Sequence, residues 1–185
     1  QEEAHIVYDN HIEQLFEPGK NYLYVDVGGG STEINLISEG ELKSSRSYNI
    51  GTVRMLSGMV KNEEKEQMHT DLEVLAKEYA PIHIIGSGGN INKLFRLADK
   101  KDKKQLFLPL ASLQDIYRTL KDLPKEQRIK LFKLKPDRAD VIVPAAEIFM
   151  EVATRVQANG IIVPTIGLSD GIIDSLYTKN RQWMQ

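Results

Sequence analysis

The chain is expected to fold as an α/β domain built on a mixed five-stranded sheet with helices on both faces, and three features of the sequence predict it. An aromatic and β-branched run, Tyr22-Leu23-Tyr24-Val25-Asp26-Val27, reads as a buried strand and ends abruptly in Gly28-Gly29-Gly30. Two further strands follow it directly, separated by the turn Glu39-Gly40, so strands one to three pair antiparallel. A long helical stretch then leads to Ile82-His83-Ile84-Ile85, a short apolar strand that needs a crossover connection and therefore pairs in parallel.

Taken in order, residues 2–16 carry helical periodicity, with Ala4, Val7, Tyr8, His11, Ile12 and Leu15 on one face. His5 and His11 are not at the i, i+4 spacing of a helical metal pair and are read as structural. Pro18-Gly19 turns the chain into the first strand. Residues 33–38 and 41–50 are the second and third strands, and Gly51-Thr52-Val53-Arg54 opens an apolar patch. Asn62 is placed to cap a helix over residues 63–79, with Met68, Leu72, Leu75 and Ala76 inward. After the fourth strand, Gly86-Ser87-Gly88-Gly89-Asn90 enters a helix over residues 91–98. Residues 100–104 are a charged loop, and Ser112 with Asp115 suggests a capped helix start. Leu123-Pro124 interrupts that helix, which resumes over residues 126–132. A helix over residues 139–158 is apolar on both sides and should be buried, with Pro144 in its first turn or so. Residues 161–163 form the last strand, and residues 168–177 a closing helix. This order is the ribonuclease H-like architecture.

The chain of 185 residues is long enough for one domain with a sizeable core. It has no apolar run long enough to span a membrane and no cysteine, which excludes disulfides and thiolate metal sites within it. A cytoplasmic location is expected. The formal net charge of −2 is unevenly spread: residues 93–138 hold 14 Lys or Arg against 6 Asp or Glu, a net +8 that leaves −10 elsewhere. Such a segment can face a polyanion, or simply be a solvated helical surface.

Chemistry concentrates at the two glycine turns. Adjacent residues without a Cβ let main-chain N–H groups approach an anion, and Ser31 and Thr32 add hydroxyl donors. Asp26 and Glu33 flank this nest. Carboxylates would repel a bare phosphate, so their presence suggests a divalent cation between protein and phosphate oxygens. The second turn repeats the logic, because the helix that follows it offers N-terminal N–H groups to an anion. If the two strands are sheet neighbours, both turns face one ligand, and Lys93 lies one helical turn away.

These motifs resemble the exopolyphosphatase and guanosine pentaphosphate phosphohydrolase family (Ppx/GppA phosphatases) within the actin-like ATPase superfamily. Asp26-Val27-Gly28-Gly29-Gly30-Ser31-Thr32-Glu33 is similar to the family's second phosphate motif, and Gln1-Glu2-Glu3-Ala4 to the end of its Ser-Gly-x-Glu-Glu-Ala segment. Asn49-Ile50-Gly51-Thr52-Val53-Arg54 is similar to its Leu-Gly-x-Val-Arg segment. Gly86-Ser87-Gly88-Gly89-Asn90 is similar to its Gly-Thr-Gly-Gly-Thr turn, with Asn in the last place. Arg138-Ala139-Asp140-Val141-Ile142-Val143-Pro144 is similar to its late helix entry, with Ala145 where Gly is usual.

The resemblance implies metal-assisted hydrolysis of a terminal phosphoanhydride bond, in inorganic polyphosphate or in guanosine pentaphosphate, by in-line attack of water. It implies that Glu3 orients or deprotonates the water, with Glu33 beside it, and that Asp26 and Glu33 hold Mg²⁺ or Mn²⁺. It assigns phosphate binding to Gly28, Gly29, Gly30, Ser31, Thr32, Gly86, Ser87, Gly88, Gly89 and Arg138. The family's N-terminal lobe, with its Asp-x-Gly-Ser-Asn-Ser motif, is not found in the chain. The chain is therefore expected to be the second lobe of a two-lobe enzyme, inactive alone and partnered by that missing lobe. No membrane or nucleic-acid partner is expected, and a homodimer is open. Two rival readings remain: a nucleotide-binding lobe of an actin-like ATPase or kinase, and a non-catalytic module that binds through residues 93–138.

Overall fold

A computed structural model describes residues 16–164. The helices expected over residues 2–16 and 168–177 lie outside these, apart from Phe16, and so does Glu3. Among the described residues a six-stranded sheet has the order β3-β2-β1-β4-β6-β5. Its strands are β1 (Asn21–Val27), β2 (Thr32–Ser38), β3 (Glu41–Tyr48), β4 (Ile82–Ser87), β5 (Phe107–Pro109) and β6 (Gly160–Ile162). β1, β2 and β3 pair antiparallel, whereas β1 pairs in parallel with β4, and β4 with β6. The expected mixed sheet is present. The sixth strand is β5, antiparallel to β6 at the edge. It is three residues long and ends in proline, so it carries no readable period, and proline is tolerated because the strand is at an edge.

Six helices are described: α1 (Thr52–Leu56), α2 (Asn62–Tyr79), α3 (Gly89–Leu97), α4 (Leu110–Lys121), α5 (Lys125–Phe132) and α6 (Pro136–Arg155). Several boundaries differ from expectation. Gly51 to Arg54 is not merely an apolar patch but the start of α1. The cap of α2 is Lys61, and Asn62 is its first helical residue. α4 begins at Leu110 behind Pro109, so Ser112 is a buried interior residue rather than a cap. There the proline sets the helix start, and Leu110 N donates to Asn159 O at 2.9 Å, which ties that start to the end of the sheet. α6 begins three residues earlier than expected, at Pro136, which places Arg138 inside its first turn and Pro144 in its interior.

Strand alternation sorts β1 onto two faces. Leu23, Val25 and Val27 join Ile34, Leu36 and Ile84 in the main core, together with Met68 and Leu72 of α2, Ile91 and Leu94 of α3, and Phe149 of α6. α6 is buried along its length as its two apolar sides require, from Ala139 through Ile142, Ala146 and Phe149 to Ala153. Truncating Phe149, which is fully buried, would cost about 3–5 kcal/mol. A Cβ on Gly86 would lie 2.8 Å from Ile161 and 3.1 Å from Phe149, so glycine lets β4 pack closely beneath α6. Tyr22 and Tyr24 point to the other face, where they pack with Ile37 and Ile85. β3 is a largely exposed edge strand carrying Lys43 and Arg46, charges that discourage further pairing.

Candidate functional site

Asp26 follows Tyr22 and Tyr24 in the alternation of β1, so it occupies their face at the carboxyl end of the strand. The register sets Glu33 of β2 directly opposite Asp26 on one side, and Ser87 of β4 opposite it on the other. The two predicted carboxylates and both glycine turns therefore lie at the same edge of the sheet, as parallel pairing of β1 with β4 requires. Glu33 is itself held: Ser47 Oγ, from the neighbouring position of β3, donates to its Oε1 at 2.6 Å, and Ser31 Oγ donates to the same oxygen at 3.2 Å.

The first turn is closed on itself by Gly28 N donating to Ser31 O at 2.9 Å. Its carbonyls are taken up by α1: Thr52 N donates to Gly28 O at 3.0 Å, Val53 N to Gly29 O at 2.9 Å, and Arg54 Nε to Gly30 O at 2.7 Å. Thr32 is fully buried, and its hydroxyl donates to Ile50 O at 2.6 Å, so this predicted phosphate contact is a structural tie. A Cβ on Gly51 would come 2.3 Å from Gly29 O, which makes glycine obligatory there for two stretches of backbone to touch. Just before it, Tyr48 donates to Asp71 at 2.8 Å; burial first, and then this hydrogen bond, push its phenol well above the ordinary value, so it stays a neutral donor. The next residue, Asn49, donates from backbone and side chain to Glu64, whose carboxyl is held below its ordinary range by those bonds.

The second turn is built from side chains. Gly88 adopts φ +103°, a conformation that favours glycine, and a Cβ there would stand 3.3 Å from Asp26 Oδ1. Asn92 Nδ2 donates to Gly88 O at 2.9 Å and steadies the turn. Arg138 reaches across from α6: a Cβ on Gly89 would lie 2.5 Å from its Nη2, 2.7 Å from its Nη1 and 3.0 Å from its Cζ, so the guanidinium covers the first residue of α3. Its Nη1 donates to Asn90 Oδ1 at 2.7 Å.

Asp26, Gly88, Gly89 and Arg138 are thus brought together across 112 positions of chain, and Glu33 joins them through the β1–β2 register. Lys93 sits partly buried one turn further along α3, and no hydrogen bond or ion pair to it is seen among the described residues. Ser47 and Asn92 carry no signal in the sequence, since a lone polar residue in a strand or helix marks no site, whereas Asn90 is visible there as the last residue of the second turn but without its partner Arg138. The donor set around Asp26 and Glu33 consists of oxygens, which suits Mg²⁺, an ion held through one or two carboxylates together with water and substrate phosphates. Among the described residues no group of three or more His, Asp or Glu gathers, so a site dependent on protein ligands alone is not formed by them. The charge-rich segment 93–138 is partly spent internally: Arg128 donates to Leu120 O and Ala139 O, Lys101 to the carbonyls of Arg96 and Ala98, and Lys125 pairs with Asp140. No described helix is long and apolar enough to cross a membrane.

Comparison with known proteins identifies the family and the fold. Exopolyphosphatase 2 of Mycobacterium tuberculosis strain H37Rv is 28% identical over 198 residues, covering 95% of this chain and 61% of that protein. The crystal structure of the type II variant of the Aquifex aeolicus Ppx/GppA phosphatase superposes with a TM-score of 0.67 at 27% identity, over 91% of this chain and 60% of that one. An exopolyphosphatase from Cytophaga hutchinsonii shares the fold with a TM-score of 0.67 at 22% identity, over 87% of this chain and 58% of its own. The chain spans about three-fifths of the length of these relatives. A family model described as the Ppx/GppA phosphatase family matches residues 1–180, from the segment holding Glu3 through both glycine turns and Arg138, and on that match the chain belongs to this family.

Proposed function

We propose that the protein to which this chain contributes hydrolyses the terminal phosphoanhydride bond of inorganic polyphosphate, or of guanosine pentaphosphate, with this chain as the second of two lobes around the reacting phosphate. The observation that carries the reading is the guanidinium of Arg138 lying over the first residue of α3. A helix N-terminus carries partial positive charge; the first turn of α3 holds no acid of its own, Asp26 stands beside its cap residue Gly88, and its first residue Gly89 receives the Arg138 cation. Two positive features pressed together favour a phosphate oxygen between them.

In this reading Glu3 accepts a proton from water as the water oxygen bonds to the terminal phosphorus, and the anhydride P–O bond on the opposite side breaks. The shortened polyphosphate leaves as an anion, and inorganic phosphate is the second product. Main-chain N–H groups of the two glycine turns, together with Arg138, hold the phosphate oxygens in line, which supplies orientation and charge stabilisation. Asp26 and Glu33 would hold Mg²⁺ or Mn²⁺, which when bound neutralises charge on the phosphate oxygens. The name of the mycobacterial relative makes polyphosphate the first substrate to try.

The test is phosphate release from long-chain polyphosphate with Mg²⁺ by the full-length protein and its Glu3→Gln variant. Release should fall by about 10² or more in the variant while polyphosphate binding is kept. Wild-type protein that releases no phosphate from polyphosphate or guanosine pentaphosphate would overturn the reading and favour an ATPase lobe.

A further inference from the structure

Arg138 is held by an unusual partner. Among the described residues it forms no ion pair, although carboxylates are plentiful, and its hydrogen bond goes to the neutral carboxamide of Asn90. A carboxylate at this place would bind the guanidinium more strongly but would cancel its charge. A carbonyl oxygen fixes the geometry and leaves the charge for a ligand. Gly89 supplies the flat surface beneath the guanidinium, and Asn90 supplies the anchor at its edge. Asn92, two residues on, holds the backbone of the turn rather than the arginine.

We propose that Asn90 is a positioning residue that locks the Arg138 guanidinium across the start of α3, so that the N–H donors not spent on Asn90 are presented to phosphate oxygens. This rests on the phosphohydrolase reading above and adds to it a named determinant of substrate affinity. Asn90 does not touch the reacting atoms. It acts through Arg138, so its loss weakens binding of ground state and transition state alike, and KM carries the effect rather than kcat.

The experiment is a double-substitution cycle in the full-length protein, using Asn90→Ala, Arg138→Ala and both together, with long-chain polyphosphate as substrate and direct polyphosphate binding as a second readout. Alanine is well accepted in a helix, so Asn90→Ala should melt within a few degrees of wild type. It is expected to raise KM and Kd roughly tenfold with kcat within about a factor of two. In the Arg138→Ala background the same change should have almost no effect. Asn90→Asp, which keeps the acceptor but cancels the charge, should weaken binding as well. Unchanged binding by Asn90→Ala, or an undiminished effect without Arg138, overturns the proposal while leaving the phosphohydrolase reading intact. Wild-type protein that binds polyphosphate but hydrolyses neither it nor guanosine pentaphosphate sinks that reading alone, and wild-type protein that binds neither sinks both.

Discussion

The two glycine turns look alike in the sequence and are built in opposite ways. The first, Gly28 to Ser31, is held mainly by backbone: one main-chain hydrogen bond closes it, the N–H groups of Thr52 and Val53 in α1 draw up the carbonyls of Gly28 and Gly29, and the Arg54 side chain adds one bond to Gly30 O. The second, Gly86 to Gly89, is framed mainly by side chains: Asn92 bonds Gly88 O through its Nδ2 as well as its main-chain N, Asp26 stands against Gly88, and Arg138 against Gly89. A turn locked by main chain presents the same shape whatever binds. A turn framed by a guanidinium and a carboxylate sets the charge that binds. The difference divides the work between a rigid floor and a charged wall, and it means that glycine serves different ends at Gly51, which lets two stretches of backbone touch, and at Gly89, which makes room for a guanidinium.

Three substitutions break or sharpen this contrast. Gly51→Ala should have the largest effect, because its methyl would meet Gly29 O at 2.3 Å and neither stretch of backbone can give way. A loss of about 3 kcal/mol is expected in denaturant unfolding of the chain. An unchanged midpoint would show that the first turn is not backbone-locked. Gly89→Ala comes next. Its methyl meets only the flexible end of Arg138, so stability should fall by less than about 1 kcal/mol. Polyphosphate binding by the full-length protein should nonetheless weaken severalfold as the guanidinium is displaced. The smallest change in stability belongs to Gly30→Ala. A Cβ on Gly30 meets nothing within 4 Å, and its φ lies outside the left-handed region. The variant should therefore be slightly more stable, by about 0.5 kcal/mol, through the unfolded state. If phosphate approaches this main chain, binding drops despite that gain, whereas unchanged binding would place the ligand on the second turn alone.

The strands with strong alternation or long apolar runs, β1, β2 and β4, were legible from residues alone, because burial on one or both faces dictates their composition. The buried character of α6 was legible for the same reason. Strand β5 was not, since three residues ending in proline carry no period and pair only because β6 lies beside them. The caps of α2 and α4, Lys61 and Pro109, were placed at Asn62 and Ser112 because no side chain caps either helix, so those two residues gave a false signal. Thr32 read as a phosphate contact by its position in a motif, yet its hydroxyl is committed to Ile50 O inside the core.

Beyond the family resemblance that its motifs carry, the sequence by itself determined the α/β class, the two glycine turns and the carboxylates beside the first of them. These follow from local chemistry: periodicity, the absence of a Cβ, and residue types at short range. Only the tertiary structure decided that Asp26 abuts Gly88, that Arg138 lies over Gly89, that Asn90 holds it, and that Ser47 secures Glu33. Each of these contacts joins residues at least 14 positions apart, brought together by sheet register or by the docking of α6 on the sheet, and no local pattern encodes either.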